Sequence, residues 1–280
     1  MIIDAHTHVF PPDVIAQRDA LLRSEPAFGE IYGNPQTTLA TAAEVLRAVE
    51  ECGLDAAVIC NFAWTDPARC RRTNDYVLEA AAQSGGRLIP FCMVQPAAGA
   101  TEAQAELERV ARAGAGGIGE LRPQQQGFSL CDGPAAALLA WGSRTYRLPL
   151  LFHVSEPVGH PYPGKAGLAI TEFAAFVHNH PEALVIGAHW GGGLPLYATM
   201  PEMRAALRHT YFDTAASALL YGPAIYRIAA ELIGLDRVLF GSDYPLRDPR
   251  GEIAAIRALG LTDADLAAVL GGNAARLLGL

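Results

Sequence analysis

The chain has 280 residues, 51% of them hydrophobic, enough to bury a large core in one big barrel or in two ordinary domains. A formal net charge of −8, with 18% charged residues, argues against nucleic acid or an anionic membrane as partner, and no apolar run is long enough to span a bilayer. Met1 leads into a strand-like run without a basic n-region, and the five cysteines (Cys52, Cys60, Cys70, Cys92, Cys131) include no Cys-x-x-Cys pair, so reduced thiols and a cytoplasmic location are expected.

Eight short runs rich in Val, Ile, Leu and Phe recur along the chain, at 1–9, 56–63, 88–95, 116–123, 148–156, 183–191, 210–217 and 237–245. Most are almost continuously apolar before a polar end, the pattern of strands covered on both faces. Helix signals lie between them. Thr41 with Glu44 forms a capping-box pair, and Gly53 stands where that helix would stop. Asp66-Pro67 reads as an N-cap followed by proline at the first helical position. Thr101 with Gln104 repeats the capping-box pattern, Asp132-Gly133-Pro134 opens the helix before the fifth strand, and Thr262 with Asp265 starts a late one. Strands alternating with helices imply a parallel sheet. Eight such units predict an α/β fold, a single (β/α)8 TIM barrel forming one domain over residues 1–280. No Gly-x-Gly-x-x-Gly follows the first strand, which argues against a dinucleotide site in a doubly wound sheet.

Two connections exceed the usual length, Pro11 to about Thr38 and residues 157–167. Both leave the C-terminal ends of strands, where barrel active sites sit, and are candidates for lids.

The polar strand ends carry the chemistry. In "DAHTHVF", His6 and His8 stand two apart and project from one strand face, with Asp4 below them. Two imidazoles so placed are half of a metal site. Other strands end in Glu120 ("GELRP"), His153 ("LFHVSE"), His189 ("GAHWGG") and Asp243 ("FGSDYP"). Ionisable groups after buried runs must be paired or metal-bound to offset desolvation. His178, His180 and His209 lie at the opposite, N-terminal side of strands and are set aside. Asp213 and Thr214 are ambiguous because parity in that run is not fixed. No Gly-x-Ser-x-Gly elbow supports a Ser-His-Asp triad.

The set "DAHTH", "GELRP", "FHVSEP", "AHWGGG", "FGSDYP" and the closing "GNAARLLGL" resembles the amidohydrolase superfamily, most closely its amidohydrolase-related branch of metal-dependent TIM-barrel hydrolases. The resemblance implies metal ligation by His6, His8 and His153. It implies that His189 binds a second metal or stands beside the attacking water, and that Asp243 binds metal and accepts the water's proton. Many relatives use a carboxylated lysine on the fourth strand. Here the only lysine is Lys165, in the loop after strand five, and Glu120 takes the strand-four position, where it can bridge two ions or sit unligated.

Histidine and carboxylate ligands without cysteine suit Zn2+, with Mn2+ as the alternative, as one or two ions. The expected activity is hydrolysis of an amide, lactone or ester bond of a small carboxylated substrate by metal-activated water, with Asp243 and His189 as catalytic groups. The alternative on the same ligands is a non-oxidative decarboxylase; a metal-binding barrel without catalysis is the third reading. Arg122 is placed to meet a substrate carboxylate, and His160 and Tyr162, in the loop after strand five, to touch substrate. Trp190 either walls the pocket or packs, and Gly191-Gly192-Gly193 is either a flexible turn or a phosphate cradle. Asp4 either orients a ligand imidazole or pairs with an arginine. A homodimer is the default oligomer.

Overall fold

The computed structural model describes residues 1–280 except 132 and 166, so the expectation placed on Asp132 lies outside the described residues. Eight parallel strands follow one another in chain order: β1 (Ile3–His8), β2 (Ala56–Cys60), β3 (Leu88–Cys92), β4 (Gly117–Leu121), β5 (Leu150–Phe152), β6 (Val185–Gly187), β7 (Thr210–Asp213) and β8 (Val238–Leu239). The ring closes where Ala5 N donates to Phe240 O at 2.7 Å and Asp243 N donates to His6 O at 2.9 Å, beside a parallel bridge between Thr7 and Tyr244. The fold is a TIM barrel, as the alternation of elements predicts. Each predicted run contains one of these strands; on β5, β6 and β8 the hydrogen-bonded part ends before His153, His189 and Asp243, whereas His6, His8 and Glu120 lie within β1 and β4. The first three are thereby released from the ladder at the barrel mouth.

Burial follows strand parity. Val58, Cys60, Ile89, Phe91, Leu151, Ile186 and Leu239 form an inner core, with Ala274 from the C-terminal helix packed into it. Ala57, Ile59, Leu88, Leu150, Phe152, Val185 and Val238 face the larger outer core beneath the helices. Covering both faces explains why the strands carry almost no polar alternation.

Helix signals hold where the side chain caps. Thr41 accepts from Glu44 N while Glu44 reaches back to Thr41 N, and the helix Ala42–Glu51 ends just before Gly53, at φ +66°. Asp66 and Thr262 also cap as predicted. Thr101 does not: its helix, Ala100–Arg112, starts one residue earlier, after Gly99. The long connection 11–38 is not a loop but holds three short helices, Pro12–Ala16, Arg18–Ser24 and Pro26–Tyr32. Phe28 and Tyr32 fix the last of these against Phe10, Phe62 and Trp64, with ring centroids 5.1–6.0 Å apart. The second long connection is drawn together by a two-stranded ribbon of Val154–Ser155 with Leu168–Ala169. Among the described residues no helix is long and apolar enough to cross a membrane.

Two strands are bulged. Ile3–Ala56 and Asp4–Ala57 pair in register, then Thr7–Ile59 and His8–Cys60, which leaves Ala5 and His6 opposite Val58 alone. Likewise Ile118 pairs Leu150 and Leu121 pairs Phe152, so Gly119 and Glu120 stand opposite Leu151. A bulge re-aims the side chain it carries; here the re-aimed residues are His6 and Glu120. The first bulge also corrects the expected parity of β1: Asp4 pairs with outward-facing Ala57 and does not lie below the two histidines.

After β6 the chain makes a left-handed turn in which His189, Trp190, Gly191, Gly192 and Gly193 all have φ between 50° and 88°. It is buried throughout, so the glycine triplet is neither a flexible turn nor an exposed cradle. A Cβ on Gly192 would lie 2.8 Å from Ser155 O, whereas one on Gly53, at nearly the same φ, would meet nothing within 4 Å. Left-handed backbone alone costs a residue with a Cβ about 1–2 kcal/mol. Gly53→Ala should therefore lower unfolding free energy by about 1 kcal/mol, and Gly192→Ala by clearly more, read from urea midpoints at equal m; equal losses would mean that the contact with Ser155 does not confine this turn.

Candidate metal centre

The mouth of the barrel gathers six side chains that the sequence places far apart. His6 and His8 come from the tip of β1 and Glu120 from the bulge of β4. His153 follows β5 directly, His189 opens the left-handed turn after β6, and Asp243, itself at φ +66°, lies past β8. Left-handed backbone at two non-glycine site residues is strain that the surrounding contacts must hold. His189 N donates to Asp213 Oδ1 at 2.9 Å, and fully buried Trp190 donates its indole N–H to Ser217 Oγ at 2.7 Å.

Glu120 is the centre of the group. Its Oε1 lies 3.0 Å from His153 Nδ1, 3.6 Å from His189 Nε2 and 3.8 Å from His6 Nε2, and its Oε2 lies 3.8 Å from His8 Nε2. On one side His6 Nε2 and His8 Nε2 are 3.1 Å apart, and Asp243 Oδ1 is 3.1 Å from His8 and 3.9 Å from His6. On the other side the rings of His153 and His189 meet edge-on at 4.7 Å. Two overlapping sets satisfy the spacing of a metal site, His6 with His8 and Asp243, and His6 with Glu120 and His189.

Counting protons shows what this arrangement can hold. A neutral imidazole has one N–H. His6 directs Nδ1 to Asp213 Oδ2 at 2.8 Å, and His153 directs Nε2 to Gly164 O at 2.8 Å. If those nitrogens carry the N–H, the other nitrogen of each ring turns a lone pair towards a carboxylate oxygen. Lone pairs so opposed repel unless positive charge stands between them. The electrostatics agree in sign. Burial opposes charge on His6, yet Asp213, Glu120 and Asp243 outweigh it and push its pKa up to about 10. Burial also opposes ionisation of Glu120 and Asp243, but the neighbouring histidines hold Glu120 well below the usual carboxylate range and Asp243 down to about 2. Ionised carboxylates in a group that favours positive charge fit a divalent cation held beside the imidazoles.

Asp213 is the residue that sequence reasoning left undecided. It is fully buried at the end of β7, and one carboxylate fixes both the His6 ring and the backbone of His189. Its signal was its place at a strand end; what was missing was the register that sets its face. Asp4 does neither thing expected of it. Its Oδ1 accepts from the backbone N of His6 at 3.2 Å and of Ser242 at 2.9 Å, so it braces β1 against β8 without touching an imidazole or an arginine.

The cluster opens into a cavity of about 340 Å³ lined by His8, Glu120, His153, His189 and Asp243 at its floor. Arg122, His160 and Tyr162 line the same cavity. Arg122 is 2% exposed and donates to Gly164 O, while Tyr162 donates to Glu156. Tyr32, Phe62, Leu219, Leu220 and Leu246 also line it, none of which the sequence singled out. Trp190 packs against Tyr226 and is not part of the lining, and Lys165 reaches the backbone carbonyls of Val158 and His160.

The sequence model of the amidohydrolase family matches residues 3–280. The chain belongs to the amidohydrolase family. No curated protein matches it by sequence. Among solved structures it is similar to 5-carboxyvanillate decarboxylase from Sphingomonas paucimobilis, at 17% identity and a TM-score of 0.77 over 100% of this chain and 99% of that one. It is also similar to 2,6-dihydroxybenzoate decarboxylase from Rhizobium, at 18% identity and a TM-score of 0.75 over 99% and 98% of the two chains. A dihydroxybenzoic acid decarboxylase from Polaromonas sp. JS666, solved with manganese and 2-nitroresorcinol, shares 18% identity at a TM-score of 0.74 over 100% and 97%.

If Asp213 sets the tautomer of His6, Asp213→Asn should weaken binding of Mn2+ or Zn2+ by about 10–100-fold, measured by titration against a competing chelator. Unchanged affinity would assign Asp213 to packing alone.

Proposed function

We propose that this member of the amidohydrolase family is a metal-dependent enzyme that removes carbon dioxide from a small ring-bearing carboxylic acid without an oxidant. The observation that carries this reading is one cavity that joins the imidazole–carboxylate floor to a buried guanidinium and apolar walls. The similar structures of decarboxylases that act on hydroxylated aromatic acids support it over the hydrolase reading that the motifs alone suggest.

His6, His8, Asp243, Glu120, His153 and His189 would hold the metal, Mn2+ as in the Polaromonas relative or Zn2+. When bound, a divalent cation there supplies Lewis-acid polarisation of a substrate oxygen and neutralises developing negative charge. The chain's own groups do the rest. Arg122 binds an anionic substituent of the substrate. Tyr32, Phe62, Leu219 and Leu220, which line the cavity, hold an apolar body and exclude water. His160 and Tyr162 border it from the loop after β5. Asp243, kept ionised, accepts a proton from a substrate hydroxyl and returns it to the carbon that loses the carboxylate, so that no proton is left over.

Hydrolysis is the second reading, and a specific feature favours it. Glu120 lies between the His6–His8–Asp243 group and the His153–His189 group, the disposition of a carboxylate that bridges two ions. Asp243 would then take the proton of the attacking water.

Manganese-loaded protein should release carbon dioxide from a panel of hydroxybenzoates and leave a matched panel of lactones, esters and amides intact. Acid release from the second panel with none from the first would replace the decarboxylase by the hydrolase. Elemental analysis gives a companion prediction: His6→Ala/His8→Ala loses metal and turnover together, and metal content equal to wild type would contradict the ligand assignment. Glu120→Gln should lower the ion count of a two-ion site and leave that of a one-ion site unchanged.

A further inference from the structure

The segment after β5 is tied to the cluster at a single peptide unit. Gly164 O accepts from His153 Nε2 at 2.8 Å and from Arg122 Nη2 at 2.9 Å, and Gly164 N donates to Glu30 Oε1 at 3.2 Å. Glu30 belongs to the helix Pro26–Tyr32, which covers the cavity from the other long connection. One backbone unit thus joins an imidazole of the cluster, the buried guanidinium and the covering helix.

The carbonyl has a chemical consequence for His153. Two acceptors compete for the one proton of its neutral ring: Gly164 O at Nε2 and the Glu120 carboxylate, 3.0 Å away, at Nδ1. A carboxylate is the stronger acceptor. If the carbonyl drifts away, the proton moves to Nδ1, and that nitrogen can no longer donate a lone pair to a cation beside Glu120. With the carbonyl in place a proton on Nε2 has its acceptor, and Nδ1 can turn its lone pair to a cation beside Glu120. The partner of the non-ligating nitrogen thereby sets which nitrogen ligates.

We propose that Glu30 is a positioning residue for metal binding: it holds the Gly164 peptide over the site, and the peptide carbonyl fixes the ligating tautomer of His153 and aims Arg122. The inference rests on the metal reading given above, and extends it to a side chain on a surface helix that touches neither metal nor substrate. Loading the site and ordering the two covering segments are then one linked event.

The test is titration of the purified full chain with Mn2+, with His153→Ala marking the binding step that depends on that ring. Glu30→Ala should weaken that same step by about tenfold and leave any His153-independent step unchanged. Glu30→Gln keeps an acceptor oxygen for Gly164 N–H and should restore affinity. In wild-type protein, Mn2+ should slow hydrogen exchange of the Gly164 amide, and Glu30→Ala should abolish the slowing. The proposal is overturned if Glu30→Ala binds Mn2+ like wild type, or if Glu30→Gln is as weak as Glu30→Ala. Mn2+ binding that His153→Ala does not alter would instead overturn the assignment of His153 as a ligand, and the tautomer argument with it.

Discussion

A buried carboxylate within 3.8 Å of four imidazoles is the constraint around which this molecule is organised. Glu120 has left water, and its neighbours His6 and His153 direct their other nitrogens at Asp213 and Gly164. Such a group is stable only with positive charge among its members. That requirement links the remaining features. Asp213 must be buried at the end of β7, Asp4 must brace β1 against β8, and Gly164 must be held over the site by a segment reaching across from another connection. None of these groups does anything for the barrel's hydrophobic core.

Regular strands would not bring the group together. Ideal alternation presents only every second residue to the barrel interior, and the two bulges break it where His6 and Glu120 need to enter. The left-handed turn after β6 does the same for His189, and the left-handed Asp243 does so past β8. Each departure is confined by contacts that a more generic barrel would lack, such as Trp190 against Tyr226 and Ser217, or Gly192 pressed on the backbone of Ser155. Local irregularity and the placement of chemistry coincide, as expected where strain is kept for function.

The barrel was legible because burial on both faces writes each strand as an apolar run, and because eight such runs alternate with capped helices. The site was legible because a charged or imidazole residue at the end of such a run has few reasons to be there. Legibility failed where geometry departs from ideal period. The role of Asp4 was misjudged because the bulge at Ala5–His6 cannot be seen in a string of letters. Asp213 stayed ambiguous because its run, "TYFDTAAS", fits either face. The three short helices of the 11–38 connection escape a reading by period because pieces of five to seven residues are too short to show one, and the third is held by contacts of Phe28 and Tyr32 with the distant Phe62 and Trp64. The cavity walls from Leu219, Leu220 and Leu246 belong to non-adjacent connections, whose meeting depends on the closed ring.

The central claim is that the six strand-end groups exist to surround divalent cations. Crystals of the protein grown with Mn2+, measured at the manganese absorption edge, test it without reference to any substrate. The account predicts anomalous density within the group formed by His6, His8, Glu120, His153, His189 and Asp243. Full-occupancy manganese elsewhere on the protein, with no anomalous density among these side chains, would contradict it.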